Sequence, residues 1–151
     1  FIMLLNRILK DTAIRAGQKI WIPNVDVSAV VTLSERRLDV FLGDCLLCSY
    51  PVGVGRDNKT PLARFTVGEK TWHPTWYFNG REIPYGHPDN ELGEAWLGLD
   101  LPELKRFGIH GTHDETTIGK AVSRGCVRLK NADVTELFQI LPKGAEVVIR
   151  P

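Results

Sequence analysis

Ser28-Ala29-Val30-Val31-Thr32-Leu33 is followed, after Ser34, by Glu35-Arg36 and then by Arg37-Leu38-Asp39-Val40-Phe41-Leu42. Leu38, Val40 and Leu42 alternate with Arg37, Asp39 and Phe41, a period of two that puts one side-chain set on each face of a strand. Glu35-Arg36 reads as a tight turn between two such strands, and Gly43-Asp44 as a second turn before a third run from Cys45 to Val54. Three successive strands joined by two-residue turns form an antiparallel meander, a rigid base for projecting loops. The expected architecture is therefore mainly β.

Toward the C-terminus, Phe65-Thr66-Val67 reads as a further strand. The stretch from Lys70 to Leu99 holds Trp72, Trp76, Tyr77, Tyr85 and Trp96 with Pro74, Pro84 and Pro88 and little periodicity. A loop of this length in a compact domain is usually functional, a lid or cleft wall, although its aromatics also suit plain packing over a sheet, the preferred reading for Trp96. Pro102 to Phe107 is at most a short helical turn. Asn131 is placed to cap a helix in which Val134, Leu137, Phe138 and Leu141 fall on one face and Pro142 and Gly144 end it, and Ala145 to Arg150 reads as a closing strand. Toward the N-terminus, Leu4, Leu5, Ile8 and Leu9 keep a helical spacing, Gly17-Gln18 turns, and Ile20-Trp21-Ile22-Pro23 reads as a brief strand.

The 151 residues suffice for one core with a short appendage. Lys plus Arg (19) nearly balances Asp plus Glu (18), so no field directs the chain to nucleic acid. No apolar run approaches the roughly 20 residues a membrane span needs. Phe1-Ile2-Met3-Leu4-Leu5 is too short for a signal-peptide core, and the chain begins at Phe, so it reads as a trimmed piece with any leader out of view. The glycines of Gly53-Val54-Gly55 lack phosphate-loop spacing. Three cysteines leave at least one unpaired. Cys45 and Cys48, three apart on a strand, point to opposite faces and read as core filler rather than as a bridge or metal pair.

The chemistry concentrates from Gly108 to Leu129, which contains His110-Gly111-Thr112-His113 and Ser123-Arg124-Gly125-Cys126-Val127-Arg128. A thiol attacks a carbonyl as thiolate, so an imidazole that takes its proton makes it a nucleophile. His110 is the candidate base and Cys126 the candidate nucleophile. Gly125 permits a tight, left-handed turn and close approach of substrate, and the amides of Arg124, Gly125 and Cys126 are candidates to face the oxyanion. A packed thiol with an unrelated imidazole is the bland alternative. A metal site of His110, His113 and Cys126 is another, lacking the second ligand pair of a structural zinc site.

These motifs resemble those of the L,D-transpeptidase (YkuD-type) catalytic domain, in which a His-Gly pair precedes a Ser-His-Gly-Cys segment. Thr60-Pro61-Leu62-Ala63-Arg64-Phe65 is similar to the family's Thr-Pro-x-Gly-x-Phe, with Ala63 for glycine. Asn90-Glu91-Leu92-Gly93-Glu94-Ala95-Trp96-Leu97-Gly98-Leu99 is similar to Asn-Pro-Leu-Gly-x-x-Trp-(Leu/Ile/Met)-Gly-Leu, with Glu91 for proline. His73-Pro74-Thr75-Trp76-Tyr77 resembles the Pro-x-Trp of the family's cleft wall. Residues 4–23 resemble the second half of a LysM module, a glycan binder, with Ala16 for its proline; a capping arm is the alternative.

The resemblance implies a mainly β (α+β) fold, an L,D-transpeptidase-like β-sandwich of mixed sheets with one helix near the C-terminus. Residues 1–24 would be a partial LysM-like arm and 25–151 the catalytic domain. It implies Cys126 as nucleophile and His110 as base, oriented by the Gly111 carbonyl or, as second choice, by Asp114. Arg128 would hold a substrate carboxylate, unless salt-bridged to Asp133 or Glu136, and Ser123 and Trp76 would also meet substrate. Arg124 stands where the family commonly has histidine; arginine is no base near neutral pH, but its fixed charge favours thiolate or an anionic substrate. The implied reaction cleaves the bond from the L-centre of the third residue to D-Ala in a peptidoglycan tetrapeptide stem, through a thioester passed to an amine. That gives a 3→3 cross-link, D-amino-acid exchange or protein anchoring. An L,D-carboxypeptidase using water and a non-catalytic cell-wall-binding protein are the alternatives. No metal or organic cofactor is implied; the implied partners are stem peptides and, through the arm, glycan strands, in the bacterial cell envelope.

Overall fold

The computed structural model describes residues 2–8, 14–101 and 104–151, with the side chains of 4, 5 and 104–106 left aside. The meander forms as β1 (Val27–Thr32), β2 (Arg37–Leu42) and β3 (Cys45–Pro51), each antiparallel to the next. Ala29, Val31, Leu38 and Val40 are fully buried, which fixes the register because a one-residue slip would turn every one of them outward. The first turn takes residues 33–36 rather than two, with Arg36 left-handed at φ 49°. In β3 the register slips so that Val40 faces Cys48 while Phe41 faces Leu46. That bulge leaves Cys45, Leu46 and Leu47 exposed, so Cys45 is surface and only Cys48 is part-buried beside Tyr50, correcting the expectation of two core cysteines.

The remaining strands are β4 (Val54–Gly55), β5 (Ala63–Trp72), β6 (Trp76–Phe78), β7 (Arg81–Ile83), β8 (Ala95–Leu101), β9 (Leu104–His110), β10 (Ala121–Ser123), β11 (Val127–Arg128) and β12 (Glu146–Arg150). Among the described residues, eight of the twelve strands make one curled mixed sheet in the order β11-β9-β8-β5-β12-β1-β2-β3. β12 runs parallel to β1 and antiparallel to β5, so it joins the meander to the half that carries His110 and Cys126. Helix α1 (Ile2–Leu5) is one turn, and α2 (Asn131–Ile140) packs on β8, burying Val134, Leu137 and Ile140. Lys70 Nζ donates to the carbonyls of Phe138 (2.5 Å) and Leu141 (2.7 Å), satisfying acceptors that the end of α2 leaves open. The fold is mainly β with one helix near the C-terminus, as expected.

Three local readings change. Lys70 to Leu99 is not loop throughout: β5 runs on to Trp72, and β6 and β7 make a hairpin turned by Asn79 (φ 50°) and Gly80 (φ 74°), both left-handed as a type I′ turn requires. The helical turn expected over Pro102 to Phe107 is absent where described, since β9 begins at Leu104; 102 and 103 lie outside the described residues. Ile20–Pro23 forms no strand. The Asn6 side chain accepts from the N–H of Trp21 (2.6 Å) and donates to its carbonyl (2.8 Å), taking the groups a strand partner would need. Leu9, the last of the expected helical set, lies outside the described residues.

Candidate active site

His110 ends β9, and β11 lies parallel to it with Val127 opposite Ile109 and Arg128 opposite His110. The amide of Leu129 closes the pairing on the His110 carbonyl (2.9 Å). Cys126, one residue before β11, is thereby carried to the level of Gly108. Half-buried Cys126 and His110 line one groove of about 1450 Å³, together with Trp76, Glu91, Trp96 and Arg128.

The imidazole is 3% exposed, and its Nδ1 lies 2.6 Å from the Gly111 carbonyl oxygen. A carbonyl only accepts, so Nδ1 carries the proton and Nε2 keeps its lone pair. The Gly111 carbonyl is itself fixed: Gly111 N–H donates to Ala95 (3.2 Å), and Asn131 Oδ1 accepts from the amides of Glu94 (3.1 Å) and Thr112 (3.2 Å). A Cβ at Gly111 would lie 2.2 Å from that oxygen, so only glycine fits. Trp96 stacks on the ring at 5.9 Å between centroids, and a Cβ at Gly108 would strike its indole at 2.5 Å. Burial, more than the nearby Arg128 charge, pulls the His110 pKa down to about 4, so the imidazole is neutral at pH 7. Asp114 is not its orienter; that carboxylate caps Thr116 through its amide (3.0 Å) and hydroxyl (2.6 Å).

Gly125 has φ 141°, and a Cβ there would sit 2.6 Å from the Phe107 ring, so glycine is required by conformation and by space. Its carbonyl accepts from Thr60 Oγ1 (2.7 Å), and its N–H donates to Ser123 Oγ (3.1 Å), which in turn donates to the Cys126 carbonyl (2.6 Å). Buried Ser123 therefore braces the cysteine turn rather than offering its hydroxyl to a ligand, and the Gly125 amide is committed, not free for an oxyanion. The amides that favour a negative sulfur are those of Gly108 and Cys126 itself. Burial outweighs them and the Arg128 charge, and pushes the thiol pKa above its usual value. The resting pair is a neutral thiol and a neutral imidazole.

Arg128 is paired with neither Asp133 nor Glu136. Its guanidinium bonds Glu91, and its buried Nε has no hydrogen-bond partner among the described residues. Arg124 lines the same groove, 3.6 Å from Glu91, over the Phe78 ring at 4.1 Å and the Trp76 ring at 5.5 Å, these two rings stacking on each other at 4.7 Å. His113 Nδ1 lies against the Asn90 carbonyl at 3.1 Å. Glu91, Trp96 and Asn131 are the site residues that sequence reasoning missed. The available signal for Glu91 was a charged residue inside an otherwise matching motif; for the hairpin it was Asn79-Gly80. Asn131 was read as a helix cap, but no side chain caps α2, and its oxygen serves the His110 loop instead.

A family model of the YkuD L,D-transpeptidase catalytic domain matches residues 26–149. The chain belongs to that family, and it is an enzyme of the L,D-transpeptidase class. The Bacillus subtilis (strain 168) protein named as the L,D-transpeptidase YqjB is 38% identical over 127 residues, covering 82% of this chain and 71% of that protein. The Bacillus licheniformis protein named as the L,D-transpeptidase YkuD is 35% identical over 150 residues, 95% of this chain and 81% of its own length. An L,D-transpeptidase from Mycobacterium smegmatis superposes on 84% of this chain with TM-score 0.68 at 16% identity, and the chain spans 59% of it. L,D-transpeptidase 3 from Mycobacterium tuberculosis, solved with a faropenem-derived adduct, gives TM-score 0.68 at 17% identity over 84% of this chain and 61% of its own. At these identities the structural likeness bears on the fold alone. The family match begins at residue 26, so the arm lies outside it.

Proposed function

We propose that Cys126 is the nucleophile and His110 the general base of a peptidoglycan L,D-transpeptidase that works through a thioester. The single observation that supports this most is a part-buried thiol and a neutral imidazole lining one groove. His110 takes the thiol proton as sulfur attacks the carbonyl between the L-centre of the third stem residue and D-Ala. Amides near the sulfur, those of Gly108 and Cys126, are oriented to favour negative charge there. The imidazolium returns the proton to the departing amine of D-Ala, which leaves the thioester. An acceptor amine then attacks, giving a cross-link, an exchanged stem or an anchored protein; water would give L,D-carboxypeptidase activity instead. Stem peptides are the proposed partners and the bacterial cell envelope the proposed location; among the described residues no helix is long and apolar enough to cross a membrane. Glycan binding by the arm gains nothing from its described residues, which lack the closing strand.

A carbapenem tests the nucleophile, because its strained amide acylates a reactive thiol without needing an acceptor. The intact mass is expected to rise by one carbapenem, and Cys126→Ala to gain none. Labelling that persists in Cys126→Ala rejects the assignment. Release of D-Ala from a disaccharide tetrapeptide separates the enzyme from a wall-binding protein, which would hold the ligand intact.

A further inference from the structure

Glu91 is the acidic side chain in contact with both arginines at the Cys126 end of the groove. One oxygen bonds the Arg128 guanidinium and the other lies 3.6 Å from Arg124. The contact is not a loose surface pair: the Arg128 side chain is 12% exposed and that of Glu91 29%. Nor is Glu91 free to swing away with its backbone. The adjoining Asn90 is buried, donates to the carbonyls of Pro74 (3.0 Å) and Ile83 (3.0 Å), and accepts from the Leu92 amide (2.9 Å). The cation best placed to hold a substrate carboxylate is thus already bound to a carboxylate of the chain itself.

A second carboxylate arriving at Arg128 must displace Glu91 or lie beside it, and like charges so close in a part-buried site repel. A carboxamide meets no such conflict. Its oxygen accepts from the guanidinium and its N–H donates to Glu91, so it matches both halves of the pair. We propose that Glu91 is a specificity-determining residue for the donor stem. It ranks stems by the group they bring to Arg128 and favours a neutral donor–acceptor group over a carboxylate. This rests on the stem-peptide reading of the groove, and binding tests it apart from catalysis.

In a Cys126→Ala background, calorimetry compares two tetrapeptide stems that differ in one group, a carboxylate or a carboxamide on the D-centre of a diaminopimelate third residue. With Glu91 present the carboxamide stem is expected to bind tighter by about three- to tenfold, the range of a part-buried charge contact. Adding Glu91→Gln is expected to reverse the order, while Glu91→Asp, which keeps the charge, keeps it. Tighter binding of the carboxylate stem with Glu91 present, a Glu91→Gln shift of both stems in the same direction, or binding of neither stem overturns the proposal. Carbapenem labelling of the Cys126 protein reads the nucleophile separately, so failure of one assignment is distinct from failure of the other.

Discussion

The low basicity of His110 has two consequences that point the same way in pH. As a base the ring works only when unprotonated, so the rate constant for carbapenem acylation is expected to hold on acidification past 6.5 and to halve only near pH 4. Stopped-flow labelling across that range checks it; a midpoint near the ordinary histidine value would mean a ring more hydrated than the fold implies. Between the unfolded value of 6.5 and the folded value of about 4 the unfolded chain binds the extra proton, so stability is lost as pH falls through that window. The loss amounts to about 3 kcal/mol at full extent, and His110→Gln is expected to flatten that part of the curve in urea titrations. The proposed pair, His110 and Cys126, could be picked out from residue type and flanking glycines, and both line one groove. Glu91 stood out as a charged residue in the place of proline, but its partner was not legible, because Arg128 lies 37 positions away and no spacing rule anticipates the contact.

Single side chains or glycines that lock one element to another set the site's rigidity. Asn131 belongs to the first turn of α2 yet accepts from the amide of Thr112, in the loop after His110, and from that of Glu94, just before β8. Asn131→Ala leaves both donors short of a partner, at a cost of about 2 kcal/mol, and is expected to lower kcat more than it raises KM. Asn131→Asp, which keeps the acceptor, restores kcat. Gly125→Ala meets both a left-handed backbone and the Phe107 ring, and is expected to lose about 3 kcal/mol, roughly 6–12 °C in Tm by calorimetry, along with acylation. The meander, α2 and the closing strand were readable as elements because their apolar periodicity repeats. The β6–β7 hairpin was hidden by short strands of aromatics, and the brief strand expected at 20–23 does not form because Asn6 takes the backbone groups of Trp21 from a distance of fifteen residues.

Across the whole molecule the sheet is one unit in which β12 is the tie. Its Val147 is fully buried and opposes Ala29 on one side and Phe65 on the other. Val147→Ala is expected to cost about 2 kcal/mol, roughly 4–8 °C in Tm, while carbapenem labelling at 25 °C keeps its rate, since no groove residue moves. A lost rate would mean that the two halves of the sheet are coupled through the core. The placement of β12 was beyond sequence reading, because alternation marks a strand without naming its neighbours. Its position also bears on how the fold assembles. Until residues 146–150 seat between β1 and β5, the meander and the half that carries His110 and Cys126 share no ladder of the large sheet, so the groove is expected to take shape only when this long-range pairing forms.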